Sequence, residues 1–266
     1  MKTMKNVDPS YRIGMIVPSS NITMETEIPE LMRRQSVHSH INFTFHSARL
    51  RLLQVTPEAL RAMNDNATEA VDALSDAQVD CMMYACLVAA MFGGKKSVEH
   101  TTEKLGSQAI ANGNAGPVIT SAGALVNTLR ELDFNHVAMI TPYKKELTAK
   151  VAATLGEYGI DVLNTHSLEV VNNAAVGRLD TENLKDIATN FDVAGADALV
   201  LSACVQMPSL AVIEEVEQQI GIPVISAATA STYMLLKKLG IQPAIKNAGQ
   251  LLRFNHFNKT SRYAIN

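Results

Sequence analysis

Short apolar runs alternate along this chain with longer stretches whose apolar positions recur at helical spacing. Nearly every position in the runs is apolar, which is typical of strands that are buried on both faces. Pro, Gly and Asn residues punctuate the pattern. The predicted strands cover 12–17, 41–45, 79–86, 117–120, 136–141, 161–163, 167–171, 198–204 and 223–225. The predicted helices cover 23–35, 56–74, 97–106, 121–132, 144–158, 181–194, 210–219 and 227–239.

This order predicts an α/β fold, in which parallel sheets are flanked by helices on both faces. The pattern also repeats within the chain. The run 14–18 resembles 138–142, the strand ending at Cys86 resembles the one ending at Cys204, and 116–119 resembles 222–225. We therefore expect two similar lobes related by a pseudo-two-fold axis. The predicted division is a first lobe of 11–120 with 226–250, a second lobe of 121–225, and a C-terminal tail of 251–266.

Composition narrows the class of protein. The chain has 266 residues, of which 47% are hydrophobic and 18% charged, and its net charge is −3. This balance gives no basic surface for nucleic acid, and no apolar run approaches the ~20 residues that cross a membrane. Three cysteines and a polar N-terminus favour a reducing, cytoplasmic setting. The spacing of Cys and His residues predicts no metal site.

Cys86 and Cys204 are the strongest candidates for chemistry, because each ends a predicted strand just before residues that can open a helix. Backbone N–H groups and the helix dipole favour the thiolate at such a position, so the thiol pKa can fall toward neutrality. The N–H groups of the residues that follow could bind a carboxylate; these residues are Leu87, Val88, Val205, Gln206 and Met207. Buried cysteine is also common without any function, and that reading fits Cys81 inside the first strand.

Polar residues follow the other strands. Asn21 lies in the loop that begins at Pro18, where its amide could donate to a carboxylate or cap a helix. Tyr143 occupies the matching loop of the second half, where its phenol could bind an anion or pack against the loop. Asn173 precedes a helix, where turn formation is the ordinary role of asparagine. Among the histidines only His46, after a predicted strand, stays a reserve candidate.

Several segments together resemble one family. They are Val17-Pro-Ser-Ser-Asn21, Tyr84-Ala-Cys86-Leu-Val-Ala, Thr141-Pro-Tyr143, Asn173-Ala-Ala-Val-Gly-Arg178 and Leu201-Ser-Ala-Cys204-Val-Gln-Met-Pro. The pair of cysteines resembles the aspartate/glutamate racemase superfamily, and the remaining segments resemble its maleate cis-trans isomerases. Residues from about 10 to 240 take part in the resemblance.

The resemblance implies a two-lobed fold with one site between the lobes, and a homodimer that converts maleate without cofactor or metal. By position, Cys86 matches the nucleophile and Cys204 the proton donor and acceptor. The side chains of Asn21, Tyr143 and Asn173 match those that hold the substrate carboxylates. Further substrate contacts are expected from Pro18, Leu87, Val88, Val205 and Met207.

Two other functions fit the residues. A cofactor-independent amino-acid or hydantoin racemase would use the same two thiols on opposite faces of a carbon next to a carboxylate. A non-catalytic, two-lobed binding protein for small molecules would need neither thiol. The polar N-terminus and the paired cysteines make the binding protein the weaker alternative.

Overall fold

A computed structural model describes residues 9–253 of the chain. Its strands are β1 (Ser10–Pro18), β2 (Asn42–Leu50), β3 (Cys81–Tyr84), β4 (Val118–Thr120), β5 (His136–Thr141), β6 (Asp161–Ser167), β7 (Ala198–Ser202) and β8 (Val224–Ser226). Its helices are α1 (Met24–Ser39), α2 (Pro57–Asp76), α3 (Leu87–Met91), α4 (Lys95–Ala111), α5 (Ser121–Glu131), α6 (Lys145–Gly156), α7 (Asn173–Val176), α8 (Thr181–Thr189), α9 (Ile213–Ile220) and α10 (Ala227–Lys238). A short 3-10 helix covers Gln250–Leu252.

The strands form two four-stranded sheets with the same internal order, β2-β1-β3-β4 and β6-β5-β7-β8. Every pairing is parallel. The inner strands β3 and β7 are buried along their whole length, as their unbroken apolar sequences require. The predicted α/β fold of two similar lobes is therefore confirmed, with β1 and β3 of one lobe corresponding to β5 and β7 of the other.

One difference from the sequence prediction shapes the site. A single strand, β6, replaces the two expected at 161–163 and 167–171. After it the backbone turns, because Glu169 adopts a left-handed conformation with φ of 52°. The N–H of Val170 then donates to the carbonyl of Pro142 at 2.9 Å. This turn carries the chain over the end of β5 and brings the start of α7 beside it.

In the largest hydrophobic core of the described residues, both faces of the first sheet pack against helices. These helices come from both sides of the predicted lobe boundary at residue 120. It includes buried residues of α5 and α10, and these two helices pack against each other. A smaller core joins β5 and β7 to α8 and α9. Contacts of α5 thus cross the predicted lobe boundary at residue 120, and the division at 120 and 225 stays a prediction.

The predicted tail begins inside the described residues. Leu251 and Leu252 are buried against the first core, and Arg253 pairs with Glu214 of α9. The remainder of the predicted tail, 254–266, lies outside the described residues. Within 9–253, no helix combines the length and apolar character that spanning a membrane requires. In the same range, no three His, Cys, Asp or Glu side chains are grouped so that they could hold a metal ion.

Candidate active site

The predicted site residues meet at the carboxyl ends of the parallel strands, where open α/β sheets place their ligands. The loop after β1 carries Asn21, and β3 leads into Cys86 at the start of α3. In the second lobe, β5 leads into Tyr143 and β7 into Cys204. Because the strands of each sheet are parallel, these loops lie at one edge of each sheet. Asn21 and Cys86 of the first lobe therefore face Tyr143 and Cys204 of the second.

Asn21 combines the two roles that its sequence position left open. Its Oδ1 accepts hydrogen bonds from the N–H groups of Thr23 and Met24, at 2.9 and 3.0 Å, and so caps the start of α1. Its Nδ2 is buried and has no hydrogen-bond partner among the described residues. Because an unpaired buried donor is costly, a ligand oxygen that accepted from Nδ2 would gain binding energy without displacing another contact.

The side chain of Gln206 joins three of the loops, whereas the sequence had indicated only its backbone N–H. Its Nε2 donates to the carbonyls of Ser20, at 3.1 Å, and Asn173, at 2.5 Å. Its own carbonyl accepts from the hydroxyl of Thr23 at 2.6 Å. Asn173 in turn donates from Nδ2 to Ser20 Oγ at 2.7 Å. These bonds lock the Asn21 loop of the first lobe to α7 and the Cys204 loop of the second.

Tyr143 lies against Cys204. Its hydroxyl donates to the carbonyl of Ala203 at 3.1 Å, and the side chain is buried. Burial, followed by the nearby Cys204 and Cys86, raises the pKa of Tyr143 well above its usual range. The phenol therefore stays protonated and remains a hydrogen-bond donor at physiological pH. The hydroxyl of Tyr143 has a single proton, which it can donate either to the Ala203 carbonyl or to a neighbouring anion.

The two thiols are neutral in the free protein. Burial raises the pKa of Cys86 to about 12, against the lowering influence of the Ala89 N–H, and the proximity of Cys204 raises it further. Burial also raises the pKa of Cys204, while Tyr143 and the N–H groups of Gln206 and Met207 lower it. The expectation of a thiol pKa near neutrality is wrong for both cysteines, because desolvation outweighs the backbone N–H groups at each position.

This reversal predicts how Cys86 reacts with iodoacetamide. Only the thiolate is alkylated, so below the thiol pKa the rate should rise about ten-fold per pH unit. We expect that rise to continue without a plateau between about pH 7 and pH 10, which mass spectrometry of the Cys86 peptide would follow. A plateau near neutral pH would instead show that the free protein already holds the thiolate.

Main-chain groups surround the thiols. Leu87 and Val88 are buried in the first turn of α3, where helical N–H groups lack acceptors from a preceding turn. Val205 and Met207 are buried in the Cys204 loop, and the Met207 N–H donates to the Cys204 carbonyl at 3.1 Å. Pro18 ends β1. The structure thus places these five residues beside the thiols or at the base of the Asn21 loop, and their contacts with substrate stay a prediction.

Arg49, at the end of β2, supports the Asn21 loop from outside. Its guanidinium donates to the carbonyls of Ser19 and Asn21 at 3.0 and 2.8 Å, and it also pairs with Glu25. These charge-assisted bonds hold the loop while the cation itself is neutralised by a carboxylate. No sequence motif marked Arg49, because only the parallel pairing of β2 with β1 brings it there.

A cavity of about 470 Å³ opens onto Tyr143 and Asn173. Apolar side chains such as Leu60, Phe92 and Leu147 form much of its wall, and Lys144 and Lys150 lie at it. Neither Cys86 nor Cys204 lines this cavity. It therefore gives access to two of the predicted carboxylate-binding residues, Tyr143 and Asn173.

Two residues noted in the sequence lie away from this constellation. His46 is on β2, at the outer edge of its sheet, with its ring nitrogen 3.1 Å from Thr44 Oγ1. Cys81 is fully buried in β3, and burial raises the pKa of its thiol to about 12. Its environment is that of a core side chain.

The chain is similar to known proteins over nearly its whole length. A family model described as arylmalonate decarboxylase matches residues 13–252. The chain is 48% identical to a maleate isomerase of Geobacillus stearothermophilus over 243 residues, which are 91% of this chain and 97% of that protein.

Two solved structures are similar over nearly their whole length. One is a cysteine-to-alanine form of a maleate isomerase from Pseudomonas putida with maleate, with a TM-score of 0.91 and 43% identity; it covers 94% of this chain and 100% of that one. The other is a cysteine-to-serine mutant of the Nocardia farcinica maleate cis-trans isomerase with a covalently bound succinylcysteine intermediate. Its TM-score is 0.88 at 43% identity, covering 92% of this chain and 98% of that one.

Proposed function

The chain belongs to the arylmalonate decarboxylase family, and within it to the maleate isomerases, and we propose that it isomerises maleate to fumarate through a covalent succinyl-cysteine. The observation that carries the proposal is the meeting of two thiols, one from each lobe, beside the phenol of Tyr143. The relative with a covalently bound succinylcysteine supports the covalent route.

The first step makes the carbon–carbon double bond single, because rotation about the double bond is otherwise prohibitive. Cys86 loses its thiol proton to solvent, and its thiolate adds to one alkene carbon of maleate. The alkene electron pair moves to the other carbon and into the adjacent carboxylate. Cys204 then gives its thiol proton to that second carbon and becomes a thiolate itself.

The second step follows rotation about the new single bond. The Cys204 thiolate takes the proton back from the second carbon, the double bond re-forms, and the carbon–sulfur bond breaks. Its electron pair returns to the sulfur of Cys86, and fumarate leaves. Atoms and charge balance over the cycle, so the reaction consumes no oxidant, reductant or cofactor.

The neutral donors have a definite task in this scheme. Adding a thiolate beside a carboxylate increases the negative charge on that carboxylate in the transition state. Hydrogen-bond donors already fixed in place stabilise such charge without reorganisation. Asn21 offers an unpaired Nδ2, and Tyr143 a phenol that can turn from the Ala203 carbonyl. Asn173 is held beside them by its bond to Ser20.

The approach to the site is also part of the proposal. The cavity that opens onto Tyr143 and Asn173 leads a small dicarboxylate to the donors first and then to the thiols. We further propose a homodimer that works in the cytoplasm without a metal or cofactor, as the family resemblance implies.

Proton NMR tests the proposal directly. We expect purified protein treated with a metal chelator to convert the maleate singlet into the fumarate singlet with no cofactor added. The same sample in heavy water would show whether carbon-bound hydrogen exchanges with solvent during turnover. A chelator that stops the reaction would overturn the metal-free scheme.

The racemase alternative gives a different result in the same experiment. Maleate would remain unchanged, and the α-proton of an amino acid or hydantoin would exchange in heavy water. No turnover in either assay would favour a binding protein. Titration of maleate against the protein, observed by calorimetry, would then measure binding alone.

A further inference from the structure

Asn64 of α2 connects the residues on either side of the nucleophile. Its Oδ1 accepts from the Tyr84 hydroxyl at 2.6 Å, and its Nδ2 donates to the Ala89 carbonyl at 2.8 Å. Tyr84 precedes Cys86 by two residues, and Ala89 follows it by three. One carboxamide thus joins the end of β3 to the first turn of α3. We call these two bonds the Asn64 bridge.

The bridge joins a half-buried side chain, Asn64, to a core side chain, Tyr84. Tyr84 is fully buried, and a buried phenol needs a hydrogen-bond partner. Asn64 supplies that partner and uses the other half of its amide on α3. The amide cannot be reversed without placing its oxygen against the Ala89 carbonyl, acceptor against acceptor. Its orientation is therefore fixed by the contacts themselves.

Helix α3 depends on such outside contacts, because it is only five residues long. A helix of one turn leaves most of its carbonyls without partners inside the helix. Asn64 satisfies the Ala89 carbonyl from the first lobe. The Met91 carbonyl accepts from the Gly94 N–H at 3.0 Å and lies 3.3 Å from the hydroxyl of Thr154, on α6. The position of α3 relative to β3 is thus set by side chains from neighbouring helices.

We propose that Asn64 is a positioning residue for the nucleophile: through Tyr84 and the Ala89 carbonyl it holds the turn that contains Cys86 in its reactive geometry. The same peptide segment presents the Ala89 N–H to the Cys86 sulfur. Movement of α3 away from β3 would separate that N–H from the sulfur and also misplace the sulfur relative to the alkene carbon. The inference deepens the proposed function, since it assigns Asn64 to the reactivity of its nucleophile.

Replacing Asn64 with leucine tests this, because leucine has a similar size and removes both bonds. We expect kcat to fall about ten- to a hundred-fold, the loss typical of a small displacement of reacting groups, with KM changed little. The rate of Cys86 alkylation at fixed pH should fall as well, and its pH profile should move to higher pH. Tyr84→Phe, which leaves the bond to Ala89, should show the same changes to a smaller degree.

The matched control is Asn164→Leu. Asn164 is a half-buried asparagine that bridges the carbonyl of Asp192 and the N–H of Thr165; it lies on β6, the edge strand of the second sheet. The Asn164→Leu variant should be less stable than the parent protein but should keep its kcat and its pH profile of Cys86 alkylation. If Asn64→Leu melts at a lower temperature but keeps the wild-type profile, Asn64 is merely structural and the inference fails. Alkylation needs no maleate, so this result is independent of whether the proposed reaction is correct.

Discussion

Replacing Cys86 with alanine should lower the turnover of maleate by roughly 10⁴-fold or more, the scale on which enzymes lose activity when a nucleophile is removed. No other described thiol can take its place. Cys204 lies in the opposite lobe and already has the proton-transfer role, and Cys81 is fully buried in β3. Since alanine fits the space left by a buried thiol, the variant should fold like the parent protein.

Proton NMR of the fumarate singlet would measure this loss, and Cys81→Ala is the matched control. It removes a thiol from β3, the strand that leads into Cys86, but lies away from the site, so it should retain turnover. Cys204→Ser should differ from both: with a poor acid and base in place of the thiol, the adduct on Cys86 would be slow to resolve. Intact-protein mass spectrometry should then detect added maleate on Cys204→Ser but not on Cys86→Ala. Substantial turnover by Cys86→Ala would contradict the covalent mechanism.

Much of the fold could be predicted because buried parallel strands have a simple sequence pattern. Residues 136–141 are apolar except at the first and last positions, and β5 covers the predicted residues. The ends of strands were harder to predict where they depend on contacts with residues distant in sequence. The predicted strand at 167–171 is instead a turn whose N–H groups pair with Thr141 and Pro142. Nothing in its own sequence specifies those partners.

The candidate site was predictable to a similar extent. The strand-end cysteines could be recognised from the repeat, and the structure brings them together with Tyr143. The thiol pKa could not be predicted from the sequence, because it depends on desolvation by all the surrounding side chains. Burial reverses the shift expected from backbone N–H groups. The sequence also showed no sign of the roles of the Gln206 and Asn64 side chains. Each acts through carbonyls of other segments, and such contacts leave no motif.

The joint between the lobes contains a second buried titratable group, Glu27 of α1. Its Oε1 accepts from the N–H groups of Ser209 and Leu210, at 2.7 and 2.8 Å, just beyond the Cys204 loop. Its Oε2 is buried with no partner among the described residues. Burial is the main cause that raises the pKa of Glu27 from 4.5 to about 7, and the two N–H groups oppose it.

A carboxyl group whose pKa is higher in the folded state binds its proton more tightly there than in the unfolded chain. Its favourable contribution is therefore complete below about pH 4.5 and is lost as the pH rises through about 7. Glu27→Gln keeps an oxygen for the two N–H groups and removes the buried charge. We expect the variant to match the parent protein near pH 4.5 and to exceed its free energy of unfolding by about 3 kcal/mol at pH 8.

Urea unfolding of both proteins across this pH range would measure the difference. Glu217, which is also buried and has a pKa raised to about 6, is present in both and cancels. A difference between Glu27→Gln and the parent that stays constant with pH would mean that Glu27 titrates alike in both states. The expected trend would instead show that the buried carboxylate of Glu27 destabilises the parent protein as the pH rises through about 7.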